Sequence, residues 1–144
     1  MPGASKLRVI ADTNVWISRF ILPNSLTGQR IKRLAADKRI TLVFSQALKD
    51  ELRAVMQRPK FRKYLTAENL TVFRAYLDAF PATPVTSAVE LCRDPKNNFL
   101  LNLALDSQAD YLFSGDEDLL VLGSIGRTSI MTLVECAQQM GLEG

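Results

Sequence analysis

The sequence predicts an α/β protein, a parallel sheet with helices on both faces built from a single domain. Short aliphatic runs alternate with helix-spaced segments along the chain, and no Pro/Gly/Ser-rich linker, repeat or low-complexity tract interrupts them. The 144 residues suit one domain, expected over 1–144, and fall short of two ordinary ones. Strands separated by helices must run parallel, which buries the sheet on both faces.

Taken in order, Leu7-Arg8-Val9-Ile10-Ala11 reads as a buried first strand after a short polar lead over 1–6. It stops at Asp12-Thr13-Asn14, residue types that favour caps and turns. Val15 to Leu22 is helical and halts at Pro23, and Leu26 to Ala36 repeats apolar positions at helical spacing. Ile40 to Phe44 is a second strand, after which Ser45 caps a helix from Gln46 to Gln57 that Pro59 closes. Lys60 to Leu65 and Ala67 to Phe80 read as further helices, with Thr66 as a cap. Pro81 and Pro84 bracket a weak extended piece through Thr86. Asn98 to Asp106 is apolar nearly all round, as a helix buried between layers would be. Asp110 to Phe113 is another buried strand ending in Ser114-Gly115-Asp116, and Ser129 to Thr132 is a last short one. The helix Leu133 to Met140 follows, with Gly141 as its C′ residue.

Composition removes whole classes of chemistry. The chain has no histidine, so Ser-His-Asp and Cys-His nucleophile schemes, His-ligated zinc and His general-base catalysis are excluded. Cys92 and Cys136 are too few for a disulfide framework and read as reduced thiols packed in a cytoplasmic protein. No stretch approaches the length of apolar residues that spans a membrane, and no secretory h-region follows the lead. Lys and Arg number 18 against 15 Asp and Glu, a net charge of +3 that permits nucleic-acid binding without demonstrating it.

Acidic and polar groups gather at the carboxyl ends of the strands, where open parallel sheets bind ligands. Asp12 follows the first strand, Glu51 lies two turns into the helix capped by Ser45, Asp94 and Asn97 precede the buried helix, and Asp116 and Asp118 follow the third strand. A single Asp at a strand end is most simply a helix N-cap. A set of them is different, because two carboxylates 4 Å apart repel by about 4 kcal/mol at an effective dielectric near 20, and a fold that gathers them usually supplies a cation. Oxygen ligands without His or thiolate select Mg²⁺ or Mn²⁺ and suit phosphodiester hydrolysis.

These residues resemble the PIN-domain ribonucleases, and within them the branch of toxin components of toxin–antitoxin pairs. The resemblance rests on Ile10-Ala11-Asp12-Thr13-Asn14-Val15, Phe44-Ser45 with Lys49-Asp50-Glu51-Leu52, Arg58-Pro59-Lys60-Phe61, Cys92-Arg93-Asp94-Pro95, and Ala109 to Leu120. It implies a PIN-like three-layer fold and a Mg²⁺- or Mn²⁺-dependent endoribonuclease acting on RNA, with an antitoxin-like protein partner and a homodimer. By the same resemblance Asp12, Glu51 and Asp116 are metal-site acids, Asp118 stands in their outer shell, and Asn14 and Ser114 orient the carboxylates or the attacking water. The position of the remaining acid holds Asn97, whose amide can ligate weakly but carries no charge and cannot act as a base.

Three readings of Asn97 stand at this point. It is an inactivating change introduced into a nuclease that harms its host, or a natural amide leaving a weak or silent nuclease that binds a partner, or Asp94 reaches the metal in its place. A catalytically silent module engaging an antitoxin-like protein or RNA is therefore the alternative function. Phosphoryl transfer through Asp12 ranks behind both, because the haloacid-dehalogenase pattern wants an Asp where Asn14 stands.

The basic run Arg58, Lys60, Arg62 and Lys63, interleaved with Phe61 and Tyr64, has the composition to track an RNA backbone or to form a solvated face. Trp16 and Phe20, at i and i+4, read as core or interface. Leu70, Phe73 and Leu77 on the helix ending near Phe80 are expected to need cover from a second subunit.

Overall fold

The structure, a computed structural model, describes residues 6–140. The expected lead, apart from Lys6, and Gly141 as a helix-terminating residue lie outside the described residues. The sheet is built from β1 (Leu7–Ala11), β2 (Ile40–Leu42), β3 (Tyr111–Phe113), β4 (Ser124–Ile125) and β5 (Thr128–Met131) in the order β2-β1-β3-β5-β4. β2, β1, β3 and β5 run parallel, and β4 pairs antiparallel with β5.

The helices are α1 (Thr13–Ile21), α2 (Leu26–Ala36), α3 (Gln46–Met56), α4 (Ala67–Asp78), α5 (Asn98–Ser107), α6 (Glu117–Leu120) and α7 (Leu133–Met140). From β1 the chain crosses to β2 on one side and later to β3 on the other. Right-handed crossovers therefore place α1 and α2 on one face of the sheet and α5 on the other. α7 packs beside α2, while α5 packs on β1 and β3. β1 is thus central, and between β1 and β3 the strand order reverses, which opens a crevice at the carboxyl ends.

Local chemistry explains the boundaries. Asp12, Ser25, Ser45 and Thr66 each accept the backbone N–H three residues on, at 3.0, 3.0, 3.0 and 3.1 Å, and so cap α1, α2, α3 and α4. Gly28 is required where α2 crosses the end of α1, because a Cβ there would lie 2.3 Å from the Leu22 carbonyl oxygen.

Some expectations shift. Lys60 to Leu65 is a 3₁₀ turn, Pro59–Tyr64, instead of an α-helix, since Pro59 opens it and Leu65 returns to extended backbone. The weak extended piece makes a single parallel bridge, Ala82 to Phe44, tied by the Thr83 N–H on the Phe44 carbonyl at 2.8 Å. β4 and the one-turn α6 carry too little periodicity to be read from the sequence.

The buried apolar residues form one contiguous cluster on both sides of the sheet. Val9, Ile10, Leu112 and Phe113 fill its centre, and α5 contributes Leu100, Leu101, Leu103 and Ala104, the all-round burial expected of it. Trp16 packs on Phe44 at 5.2 Å and on Tyr76 at 5.9 Å, and Phe20 meets Phe73 edge-on at 4.9 Å. Phe73, packed against Phe20, and Leu77 are therefore buried in the chain's own core, not by a second subunit, and Leu70 is half-buried. Cys92 and Cys136 are buried, reduced thiols, and burial pushes the Cys136 thiol up to about 11, as a packed and unreactive thiol should be. Among the described residues no helix is long and apolar enough to cross a membrane.

Candidate active site

Sheet register brings the first two groups together. Ala11 stands opposite Phe113, so the next residue of each strand leaves the sheet at the same level. The Asp12 N–H bonds the Phe113 carbonyl at 3.0 Å and the Ser114 N–H bonds the Met131 carbonyl at 3.0 Å. The Ser114 hydroxyl donates to Asp12 Oδ2, although the two residues lie 102 positions apart in sequence. Asp12 Oδ1 meanwhile accepts the Val15 N–H at 3.0 Å, so the plain cap role and the site role belong to the same side chain.

Burial is what sets the electrostatics of Asp12, which is only 5% exposed. Loss of hydration raises its carboxyl above the usual range, and the nearby Asp116 charge adds to this. Hydrogen bonds from Ser114 and from the Val15 and Asn14 N–H groups work in the opposite direction without cancelling the burial cost.

Asp116 continues the network. Its N–H donates to Ser114 Oγ at 2.9 Å, so one hydroxyl joins the two acids. Asp116 Oδ1 accepts the Asp118 N–H at 2.8 Å and caps α6, while Oδ2 accepts the Asn97 Nδ2 amide at 2.8 Å. Asn97 thus meets the cluster at the predicted position, and its amide supplies the partial positive charge that a carboxylate there would lack. Asp118 reaches the cluster through its backbone, because its side chain pairs with Arg93 at 2.9 Å.

From Asn97 the site opens into a cleft of about 730 Å³ that Glu51, Asn14, Arg58, Asp94 and Lys96 also line. Ser45 starts α3 at the level of the strand ends, and Glu51, nearly two turns on, faces the cleft half-buried. Asp94 does two things: its Oδ1 accepts the Lys96 N–H at 3.1 Å, the cap role expected for Asp94-Pro95, and it borders the cleft. Of the basic run only Arg58 lines the cleft, and Lys60, Arg62 and Lys63 lie exposed on the 3₁₀ turn. Lys60 and Lys63 lean over the Phe61 and Tyr64 rings at 5.0 and 5.1 Å.

Among the cleft residues that the sequence did not point to, Lys96 and Phe99 bear on its chemistry. Lys96 sits between Pro95 and Asn97, inside a segment already singled out, and its charge was the available signal. Phe99 follows the buried-helix pattern closely enough to hide its half-exposed ring.

The donor set suits a hard cation, being oxygen-only, with Asp12 and Asp116 drawn together and Asp12 short of compensating charge. Among the described residues no three Asp, Glu, His or Cys side chains gather closely enough to cage a metal on their own. Asp12 and Asp116 are bridged through Ser114, Glu51 stands on the cleft wall, and the position between them is an amide.

A family model described as PIN domain matches residues 8–118, a span from β1 through the site-forming Asp116 and Asp118. An uncharacterized protein of Methanocaldococcus jannaschii is 34% identical over 119 residues, which is 81% of this chain and 76% of that protein. With its parallel sheet, flanking helices and strand-end acids in that order, this chain belongs to the PIN domain family.

Proposed function

We propose that this protein is a divalent-metal-dependent endoribonuclease that cleaves RNA phosphodiesters in the cleft between α3 and α5, with its power weakened by Asn97. PIN domains are generally nucleases and typically use divalent metals, and an all-oxygen donor set favours Mg²⁺ or Mn²⁺. The observation that supports the reading best is the Asp12–Ser114–Asp116 linkage at the reversal of strand order, with Glu51 and two cations, Arg58 and Lys96, on the adjoining cleft wall. The resemblance to toxin components extends the proposal to a cytoplasmic role beside an antitoxin-like protein and as a homodimer.

Asp12 and Asp116 would hold the metal, with Glu51 as the further carboxylate and the Asn97 carbonyl oxygen as a weak fourth donor. A bound divalent ion would polarise the scissile phosphate and acidify a water. Ser114 fixes the orientation of Asp12 by donating to one of its oxygens, and the Val15 N–H fixes the other. Arg58 and Lys96 attract the phosphate backbone, and the exposed Lys60, Arg62 and Lys63 extend that positive track beyond the cleft. Asn14 borders the cleft where it can orient a water, and Asp94 adds a further acid at the rim.

One observation favours the second reading, a catalytically silent module that binds RNA or an antitoxin-like protein. The Asn97 amide already satisfies Asp116 Oδ2, so the cluster is partly neutralised without a metal.

Metal titration and cleavage of a mixed RNA pool, run on this chain beside Asn97→Asp, test the choice. The nuclease reading expects weak Mn²⁺ binding and slow cleavage that the substitution increases by tenfold or more. If neither chain cleaves at any Mn²⁺ concentration, the silent module stands. If the substitution leaves both measurements unchanged, residue 97 is outside the site and Asp94 becomes the better ligand.

A further inference from the structure

The acid-lined cleft does not end at Phe99. A second groove of about 390 Å³ continues on the far side of that ring and shares Ala47 and Phe99 with the cleft. The two differ in character. The cleft presents Glu51, Asp94, Arg58 and Lys96, whereas among the described residues no charged side chain lines the groove, whose polar groups are the Gln46 and Asn102 amides and the Ser45 and Thr83 hydroxyls.

A charged compartment followed by a neutral one with an aromatic ring between them matches the alternation of phosphate and base along a single RNA strand. Bases splayed from a single strand stack on aromatic side chains with little dependence on sequence. The walls are already held in place. Thr83 is pinned to Phe44 through its N–H at 2.8 Å, and Asp106 accepts the Ser87 N–H at 2.9 Å just beyond the groove. Phe99 stands in the first turn of α5, next to Asn98, whose Oδ1 accepts the Cys92 N–H at 2.9 Å. The amides are also polarised in advance. Asn102 Oδ1 accepts the Val89 N–H at 2.8 Å while its Nδ2 remains a donor, and Gln46 Nε2 gives one of its two N–H groups to Asp50 at 2.9 Å while its oxygen remains an acceptor.

We infer that this groove is a nucleobase subsite, in which one base of a single-stranded RNA stacks on Phe99 while the neighbouring phosphate lies in the acid-lined cleft. The inference rests on the nuclease reading above and adds to it the position at which the substrate base is held. Gln46 and Asn102 offer one acceptor and one donor to the edge of that base.

Binding of a short fluorescein-labelled single-stranded RNA to the full chain, followed by anisotropy in EDTA so that no cleavage intervenes, tests this. Phe99→Leu keeps apolar bulk and removes the ring face, and a thermal melt establishes that it folds. The expected result is a loss of affinity of about tenfold for Phe99→Leu, the scale of one stacked base, with recovery in Phe99→Trp. An otherwise identical abasic strand should bind the native chain and Phe99→Leu equally, while Arg58→Ala should weaken both strands alike. Equal binding of the base-bearing strand by the native chain and Phe99→Leu, with Arg58→Ala still weakened, overturns the subsite and leaves the nuclease reading intact. Absence of RNA binding by the native chain, indifferent to Arg58→Ala, overturns both.

Discussion

Asp12 illustrates the conflict between stability and function at single-residue scale. Its carboxylate is buried without full compensation, so the folded chain holds the proton more tightly than the unfolded chain does. Stability is therefore lost as pH rises from the ordinary value of 3.8 through the raised one, and the deficit persists at neutral pH. Asp12→Asn keeps the cap acceptor and removes the charge. It should abolish cleavage yet raise the melting temperature at pH 7 without metal by roughly 2–4 °C, the equivalent of about 1 kcal/mol in a chain of this size. Below pH 3.8 the two chains should melt together. Asn97→Asp should do the reverse, because it exchanges an amide donor for a second negative charge 2.8 Å from Asp116. A loss of about 1–2 kcal/mol without metal, recovered on adding Mn²⁺, is the expected outcome of paired melts. Unchanged melts would place residue 97 outside the cluster's electrostatics.

Elements depend on side chains that close their ends. Asp37 follows α2 and turns the chain into β2, accepting the Arg39 N–H at 2.8 Å and its guanidinium at 2.6 Å. The Arg39 side chain beside it holds the Asp37 carboxyl down at about 2. A depressed pKa means the contribution is present above 3.8 and is lost as pH falls through about 2. Asp37→Asn should cost only about 0.5–1 kcal/mol at pH 7, since solvent screens an exposed pair. Urea denaturation at pH 7 and again near pH 2 should show that gap closing, and a gap constant with pH would assign the loss to the turn's backbone bond alone. The same local logic explains the helices. Their caps and apolar spacing are written within four residues of each other, so α2 has the boundaries and α7 the start that the sequence implies. β4 pairs with β5 across the tight Gly126-Arg127 turn, with Gly126 at a φ of 56°, and two residues of strand leave no alternation to read.

At the scale of the whole molecule, the exposed apolar surface lies elsewhere than the sequence suggested. Phe73 and Leu77 belong to the core, while Leu22, Leu26, Tyr64 and Val72 are 51, 68, 42 and 63% exposed. Phe20, Pro23, Leu65 and Val72 border a groove of about 250 Å³ between the end of α1 and α4. If the proposed homodimer forms through this face, light scattering at tens of micromolar should give twice the chain mass and Val72→Asp should return a folded monomer. A clean monomer for the native chain would remove the dimer from the proposal.

By itself the sequence determined the alternation of strand and helix, the caps, the chemistry excluded by the missing histidine, and the acids that follow β1 and β3. Each of these depends on neighbours a few positions apart or on composition. Only the tertiary structure decided that Asp12 meets Ser114, that Asn97 spends its amide on Asp116, that Arg58 alone of its basic run enters the cleft, and that Phe99 divides a charged cleft from a neutral groove. Those arrangements follow from strand register and crossover direction, which pair residues as much as 102 positions apart. Local periodicity places a residue on its own helix or strand, but which partner it meets is set when separate elements pack together.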